Sequence, residues 1–235
     1  MIFYKDLQDY ILQERARLDA LGTLNIPEAG IISRVLAPGP EQHEGSGVAQ
    51  YPVTREVEEL EVDAQGIFGD RHRRLTRPSS GREWMLYPKG VQIRQHRHVC
   101  VVSRDDCRVL SERLGVAVTP ELLGANLLID RLDGAPFSLS GLPPGTHLLV
   151  MPADAEAVPK PPIATLVHFV KQQGCGITGN AIAECYGDKG LVKAFREQGA
   201  DHRGLICSIE YPVDQPARLR SGQHVAFKFS SSVAP

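Results

Sequence analysis

Cys175 lies between Gly174 and Gly176, within the stretch VKQQGCGITGNAIAECYGDKG. An apolar run precedes it and a helix-like pattern follows. A thiol at a helix N-terminus has its thiolate stabilised by the helix dipole and by free backbone N–H groups. Glycine on either side lets a ligand or a second sulfur come close to the backbone. That is the setting of a reactive cysteine. The competing reading is a small hydrophobe packed in a core, and the local pattern holds the two level. Cys107, Cys185 and Cys207 sit inside helix or strand patterns, and Cys100 sits in the apolar run HVCVV, so all four read as packing residues.

A second group is GDRHRRLTR, from Gly69 to Arg77. Gly69 permits a tight turn, and Asp70 can orient Arg71 or His72 through a charge-assisted hydrogen bond. From Arg71 to Arg97 there are eight Lys or Arg against one acid, Glu83. In a chain of net charge -2 this is a local positive field suited to a phosphate or another anion. The plain alternative is a solvated basic loop, and the mixed His, Arg, Trp and Tyr content favours the anion site. A nucleic-acid surface is disfavoured, because the patch is short and aromatics are only 6% of the chain.

Weaker candidates follow. Arg203 beside Gly204 can place a guanidinium over an open backbone, although a surface turn is the commoner reading. Asn126 in GANLLI reads either as a turn residue or as a ligand donor. His96 and His98 alternate before a strand and would share a face. No third ligand follows at an obvious spacing, so a metal site is disfavoured. A Cys–His pair of Cys175 with His72 or His202 would need a proximity that spacing does not supply. There is no G-x-S-x-G, no G-x-G-x-x-G and no Walker sequence.

The elements that must position these residues can be read coarsely. Residues 3–21 predict an amphipathic helix from Leu7, Tyr10, Ile11, Leu18 and Leu21, with Gly22 as its stop. GIISRVLAP predicts a strand, REVEELEVDAQG a half-exposed strand, and residues 66–90 a long loop. HVCVVS predicts a short buried strand. SRDDCRVLSERLG predicts a helix with Ser103 and Asp106 as a capping box and Gly115 at its end. TPELLGANLLIDRL predicts a helical turn at Pro120 and then a strand. GTHLLVM and ATLVHFV are further strands. GNAIAECYG and DKGLVKAFREQG are helices, the second capped by Asp188. RGLICSIEYP and GQHVAFKF close the chain as strands. The sum is an α+β or mainly β barrel rather than a doubly wound parallel sheet.

Composition agrees with a globular chain: 235 residues, 42% hydrophobic, 23% charged, with a pI near 6.4. Five cysteines, an odd number at wide spacings and without a C-x-x-C, argue against a disulfide framework or a zinc knuckle. MIFYKDLQDYILQ carries charge where the apolar core of a signal peptide would sit, and no 18-residue apolar run exists. A reducing, cytoplasmic setting without a membrane is therefore expected.

Taken in order, GIFGDRH, LGANLLI, PFSLSGLPPGTHLLV, GCGITGNAIAECYGDKGLVKAFREQGADHRGLICSIE and RLRSGQHVAF resemble the MOSC domain, named after the C-terminal part of molybdenum-cofactor sulfurases. The resemblance runs from about Gly30 to Phe229. It implies a MOSC-like β-barrel with short peripheral helices over residues 26–230, preceded by an N-terminal helical extension over 1–25. It implies a protein that binds the molybdenum cofactor (molybdopterin) or carries sulfur on one cysteine as a persulfide. It also implies a cysteine desulfurase or an electron-donor protein as partner, and pyridoxal phosphate as a further family cofactor. By resemblance the catalytic or metal-ligating cysteine is Cys175, and the cofactor-binding residues are Arg71, His72, Asn126 and Arg203. Two departures stand out: Gly174 precedes the cysteine where the family often has proline, and Gln223 follows Gly222 where an acid is usual. The alternatives are a molybdenum-cofactor-dependent reductase of N-hydroxylated substrates, and a non-catalytic anion- or RNA-binding module using the Arg71–Arg97 loop.

Overall fold

The computed structural model describes residues 29–39, 53–79, 87–153, 161–172 and 174–228. The helix expected over 3–21 lies outside these residues, as does part of the basic loop, residues 80–86.

The strands in chain order are β1 (Ala29–Pro38), β2 (Thr54–Val57), β3 (Glu59–Asp63), β4 (Gly66–Ile67), β5 (Thr76–Pro78), β6 (Gln92–Arg94), β7 (Val99–Val102), β8 (Leu127–Arg131), β9 (His147–Val150), β10 (Ala164–Lys171), β11 (Leu205–Tyr211), β12 (Ala217–Arg220) and β13 (His224–Lys228). The helices are α1 (Arg104–Leu114), α2 (Pro120–Leu123), α3 (Gly176–Tyr186) and α4 (Gly190–Gln198). The main sheet runs β13-β9-β10-β11-β7-β8-β1-β2, and a further pairing of β13 with β1 closes its first seven strands into a barrel. Among the described strands only β7 and β8 pair in parallel, joined by the crossover that holds α1 and α2. This is the mainly β barrel with short peripheral helices that the sequence predicts.

Closure leaves two apolar layers. Val99, Val101, Leu127, Ile129 and Leu205 fill the barrel interior. Cys100, Val102, Leu110, Leu128, Ile182 and Phe195 pack between the barrel wall and the helices. β7 therefore faces apolar surroundings on both sides and is buried at all four positions, which is why its sequence, VCVV, shows no alternation. The Ser103 hydroxyl accepts from Asp106 N at 3.1 Å, and Asp106 accepts from Ser103 N at 3.3 Å, so the capping box starts α1 as expected. Such a cap is worth about 1 kcal/mol.

Some elements differ from the prediction. REVEELEVDAQG is two strands broken at Glu58: β2 joins the barrel edge, while β3 joins β12 and β4 in a separate sheet. Val57 and Leu60 are three apart, so one period-2 strand cannot turn both to the same face, and the break resets the phase. The expected loop 66–90 contains β4 and β5, with β5 pairing β6. β12 was not predicted, because its sequence ARLR has a single buried apolar side chain, Leu219, to mark it. The helix predicted from Gly179 starts at Gly176; its first turn, Gly-Ile-Thr-Gly, has poor intrinsic helix propensity and is held by tertiary contacts. No helix among the described residues is long and apolar enough to cross a membrane.

Candidate functional site

At the end of β10, Gln172 N donates to the carbonyl of Gly204 at 2.9 Å, which ties the approach to Cys175 against the start of β11. The two glycines around Cys175 serve different ends. A Cβ on Gly174 would sit 2.2 Å from the carbonyl oxygen of Phe195, so this residue must be glycine for the chain to pass the C-terminal end of α4. A Cβ on Gly176 would meet nothing within 4 Å, so the space beside the cysteine is open.

Cys175 is the N-cap of α3, in extended conformation (φ -127°, ψ 154°), and is half-buried. Its Sγ lies 3.4 Å from Oγ1 of Thr178, the third residue of the helix. The fully buried Thr178 also accepts a hydrogen bond from the guanidinium of Arg203, which donates to the carbonyl of Leu123 at 3.4 Å as well. Because Arg203 already donates into Thr178 Oγ1, the threonine proton is free to turn toward the sulfur once the thiol ionises. Burial, the largest influence, pushes the Cys175 thiol up. The charge of Arg203, the Thr178 hydroxyl and the N–H groups of Thr178 and Ile177 outweigh it, and the thiol ends below its ordinary range.

The other cysteines differ. Burial pushes Cys100 and Cys207 up, and burial together with the carboxylate of Asp106 pushes Cys107 up to about 12. Cys185 was expected to pack, but it is exposed: the buried positions of α3 end at Ala183, and its last turn projects past the core.

Of the residues singled out in the sequence, Arg203 meets Cys175 through Thr178. Asn126 is buried and stitches three strands together. Its Oδ1 accepts from Cys100 N at 2.9 Å, its own N donates to Cys100 O at 2.7 Å, and its Nδ2 donates to Leu36 O at 3.4 Å. Asp70 orients His72, accepting from its backbone N at 2.7 Å and lying 2.9 Å from Nδ1. Arg71 has a buried Nε with no partner among the described residues. Neither Arg71 nor His72 bonds to Cys175 among the described residues, although Gln95 links their turn to the approach of β7 by donating to His72 O at 3.3 Å and accepting from Arg97 N at 3.2 Å. Part of the positive field is spent internally, in the ion pairs Arg73–Asp63 at 2.6 Å and Arg94–Glu210 at 2.5 Å.

Among the described residues neither His72 nor His202 bonds to Cys175. His72 is held by Asp70, and His202 lies 3.3 Å from the buried carboxylate of Asp106 at the start of α1. His98 accepts from Ile209 N at 3.1 Å and donates through Nε2 to Arg74 O at 3.2 Å, while His96 stacks on Phe169 with ring centroids 4.0 Å apart. No group of three metal-ligating side chains is present among the described residues. The residue that sequence reading missed is Thr178. Its signal was the Cys-x-x-Thr spacing from N-cap to third helical position, the spacing of a capping box.

A closed mixed barrel with an ionisable cysteine at the head of a peripheral helix defines the class. The chain belongs to the MOSC domain family, whose profile matches residues 88–226. YuaD of Bacillus subtilis strain 168, whose description proposes a role in metal-sulfur cluster biosynthesis, is 30% identical over 162 residues, covering 68% of this chain and 77% of that protein. The crystal structure of YuaD superposes with a TM-score of 0.68 at 24% identity, over 86% of this chain and 97% of that one. YiiM from Geobacillus stearothermophilus superposes with a TM-score of 0.53 at 14% identity, over 87% of this chain and 78% of that one.

Proposed function

We propose that this chain carries sulfur at Cys175, or holds the molybdenum cofactor through it. The observation that supports the reading most directly is the thiol of Cys175 at the start of α3, drawn toward its charged form by Arg203 and Thr178 with open space beside Gly176. A thiolate is the nucleophile of sulfur exchange and a soft ligand for molybdenum. In the carrier step the Cys175 thiolate attacks the terminal sulfur of a donor's persulfide. The donor's S–S bond breaks, its own thiolate leaves, and Cys175 keeps the sulfur as a persulfide. The step needs no oxidant.

The residues also fit the cofactor's chemistry. Arg203 Nε and Arg71 Nε are buried without a partner among the described residues, and a buried guanidinium nitrogen left unpaired is costly unless an anion satisfies it. Cys175 would hold the metal side of the group, and Arg203 would hold negative charge near it. When bound, the cofactor supplies a redox-active, sulfur-binding metal and a phosphate. Pyridoxal phosphate is not part of the proposal. It is bound through a lysine amine, whereas Cys175 contacts a hydroxyl and backbone N–H groups and feels a guanidinium charge.

The test is intact mass after incubation with a cysteine desulfurase and cysteine, with metal analysis of the protein as purified. Quenched while the donor is still present, wild type should carry one added sulfur that reductant removes, and Cys175→Ala should carry none while melting close to wild type. If wild type gains no sulfur and holds no molybdenum, the proposal fails. If Cys175→Ala only unfolds the protein, the thiol is a packing residue.

A further inference from the structure

A second thiol stands on the same side of the barrel wall. Within β7, Val99 and Val101 face the barrel interior, while Cys100 turns outward into the layer packed beneath α3, the helix that Cys175 heads. Cys100 is 8% exposed, so no donor protein can reach it from outside. Gln172, three residues before Cys175, donates its side-chain amide to Cys100 Sγ and anchors its own backbone on Gly204. The two thiols are thus bracketed by one short segment, with Arg203 immediately before its anchor point. Arg203 is 6% exposed, its Nε lacks a partner among the described residues, and its charge acts on both sulfurs. An unpaired guanidinium nitrogen in a dry layer is a place for a small sulfur anion.

We propose that Cys100 is the resolving thiol of this site: it attacks Sγ of a Cys175 persulfide and releases the carried sulfur as hydrosulfide, leaving a Cys100–Cys175 disulfide. The inference rests on the carrier reading above. The balance is complete. The Cys100 Sγ–Cys175 Sγ bond forms and the Sγ–terminal sulfur bond breaks. The Cys100 proton leaves with the hydrosulfide, the terminal sulfur is reduced by two electrons, and the two thiols are oxidised by two. A dithiol reductant resets the pair. Asymmetry of burial divides the roles. The half-buried Cys175 meets the donor, and the enclosed Cys100 meets only a sulfur that is already attached to the chain.

The experiment loads the full-length protein with sulfur, either from a cysteine desulfurase with cysteine or from inorganic polysulfide, removes the donor, alkylates free thiols and maps cross-linked peptides. Wild type is expected to lose the added sulfur, release one hydrosulfide per chain and show a Cys100–Cys175 peptide pair. Cys100→Ser is expected to keep the persulfide at least about ten times longer. A Cys175 persulfide that persists equally in wild type and Cys100→Ser, or a Cys175 linkage to any other cysteine, overturns the proposal. Should Cys100→Ser not fold, the wild-type peptide map decides alone. If the desulfurase fails but polysulfide-loaded protein still forms the pair, the desulfurase falls as the sulfur source, while Cys175 remains the carrier and Cys100 its resolving thiol. If neither source gives the pair, the resolving role falls.

Discussion

Replacing Thr178 with valine removes one hydroxyl while keeping the shape of a side chain that is fully buried. Two contacts go with it: the hydroxyl 3.4 Å from Cys175 Sγ, which accepts from the thiol and can donate to the thiolate, and the acceptor for the Arg203 guanidinium. A hydrogen bond to a charged group is worth about 1.5–3 kcal/mol, and the half-buried position of the sulfur places this one at the low end. At about 1.4 kcal/mol per factor of ten, the Cys175 thiolate population below the thiol's titration midpoint should fall about tenfold. The assay is the rate of alkylation by iodoacetamide at neutral pH, read on the Cys175 peptide by mass so that the other four cysteines do not interfere. Thr178→Ser keeps the hydroxyl and should react within about threefold of wild type, given the usual spread of such energies. Thr178→Val that reacts as fast as wild type, in a folded protein, would refute the role given to this hydroxyl. The same outcome would leave the charge of Arg203 and the helix N–H groups as the sole support of the thiolate.

Two further predictions concern the frame around the site. Gly204 has φ +85°, and a Cβ there would sit 2.2 Å from the carbonyl oxygen of Val101 and 2.6 Å from Val102 Cγ1. Gly204→Ala should therefore cost about 3 kcal/mol or more in urea unfolding. Gly176→Ala, where nothing lies within 4 Å, should change stability by less than about 1 kcal/mol; equal effects at the two positions would contradict the packing described. His98 is held neutral, its pKa pushed below the ordinary 6.5 chiefly by burial and against the pull of its bond to Arg74 O. For a base depressed in the folded state the unfolded chain binds more protons. Its stabilising contribution is thus present above pH 6.5 and is lost as pH falls below that value toward the folded pKa. Urea midpoints between pH 7 and pH 5 should fall with pH, and His98→Asn should flatten that slope; an unchanged slope would show that other groups set it.

Much of the frame was legible along the chain because it depends on short-range rules. Ser103, Asp106 and Gly115 mark both ends of α1 by capping chemistry alone. The apolar runs of β1, β7, β8, β10 and β11 announce strands, and the count of strands against short helices announces a barrel. Cys175 was visible as a candidate because a thiol before a helix has one local reason to be polarised, the free backbone N–H groups of the first turn. What sequence could not decide was partnership. The basic turn at Arg71 and His72 has the right composition, yet it is tied to Gln95 and bonds only indirectly toward β7, whereas Arg203, an ordinary turn residue by pattern, supplies the buried charge. Asn126 looked equally able to hold a ligand or a turn, and its side chain bridges β7 and β1, two strands far apart in sequence. Thr178, Gln172 and Cys100 acquire meaning only when β7, β10 and β11 lie side by side. Sequence by itself determined most of the elements, both caps of α1 and a candidate thiol ahead of α3. The tertiary structure alone decided which charge and which hydroxyl act on it, because electrostatic and hydrogen-bond partners are chosen by distance in space, and barrel closure sets those distances.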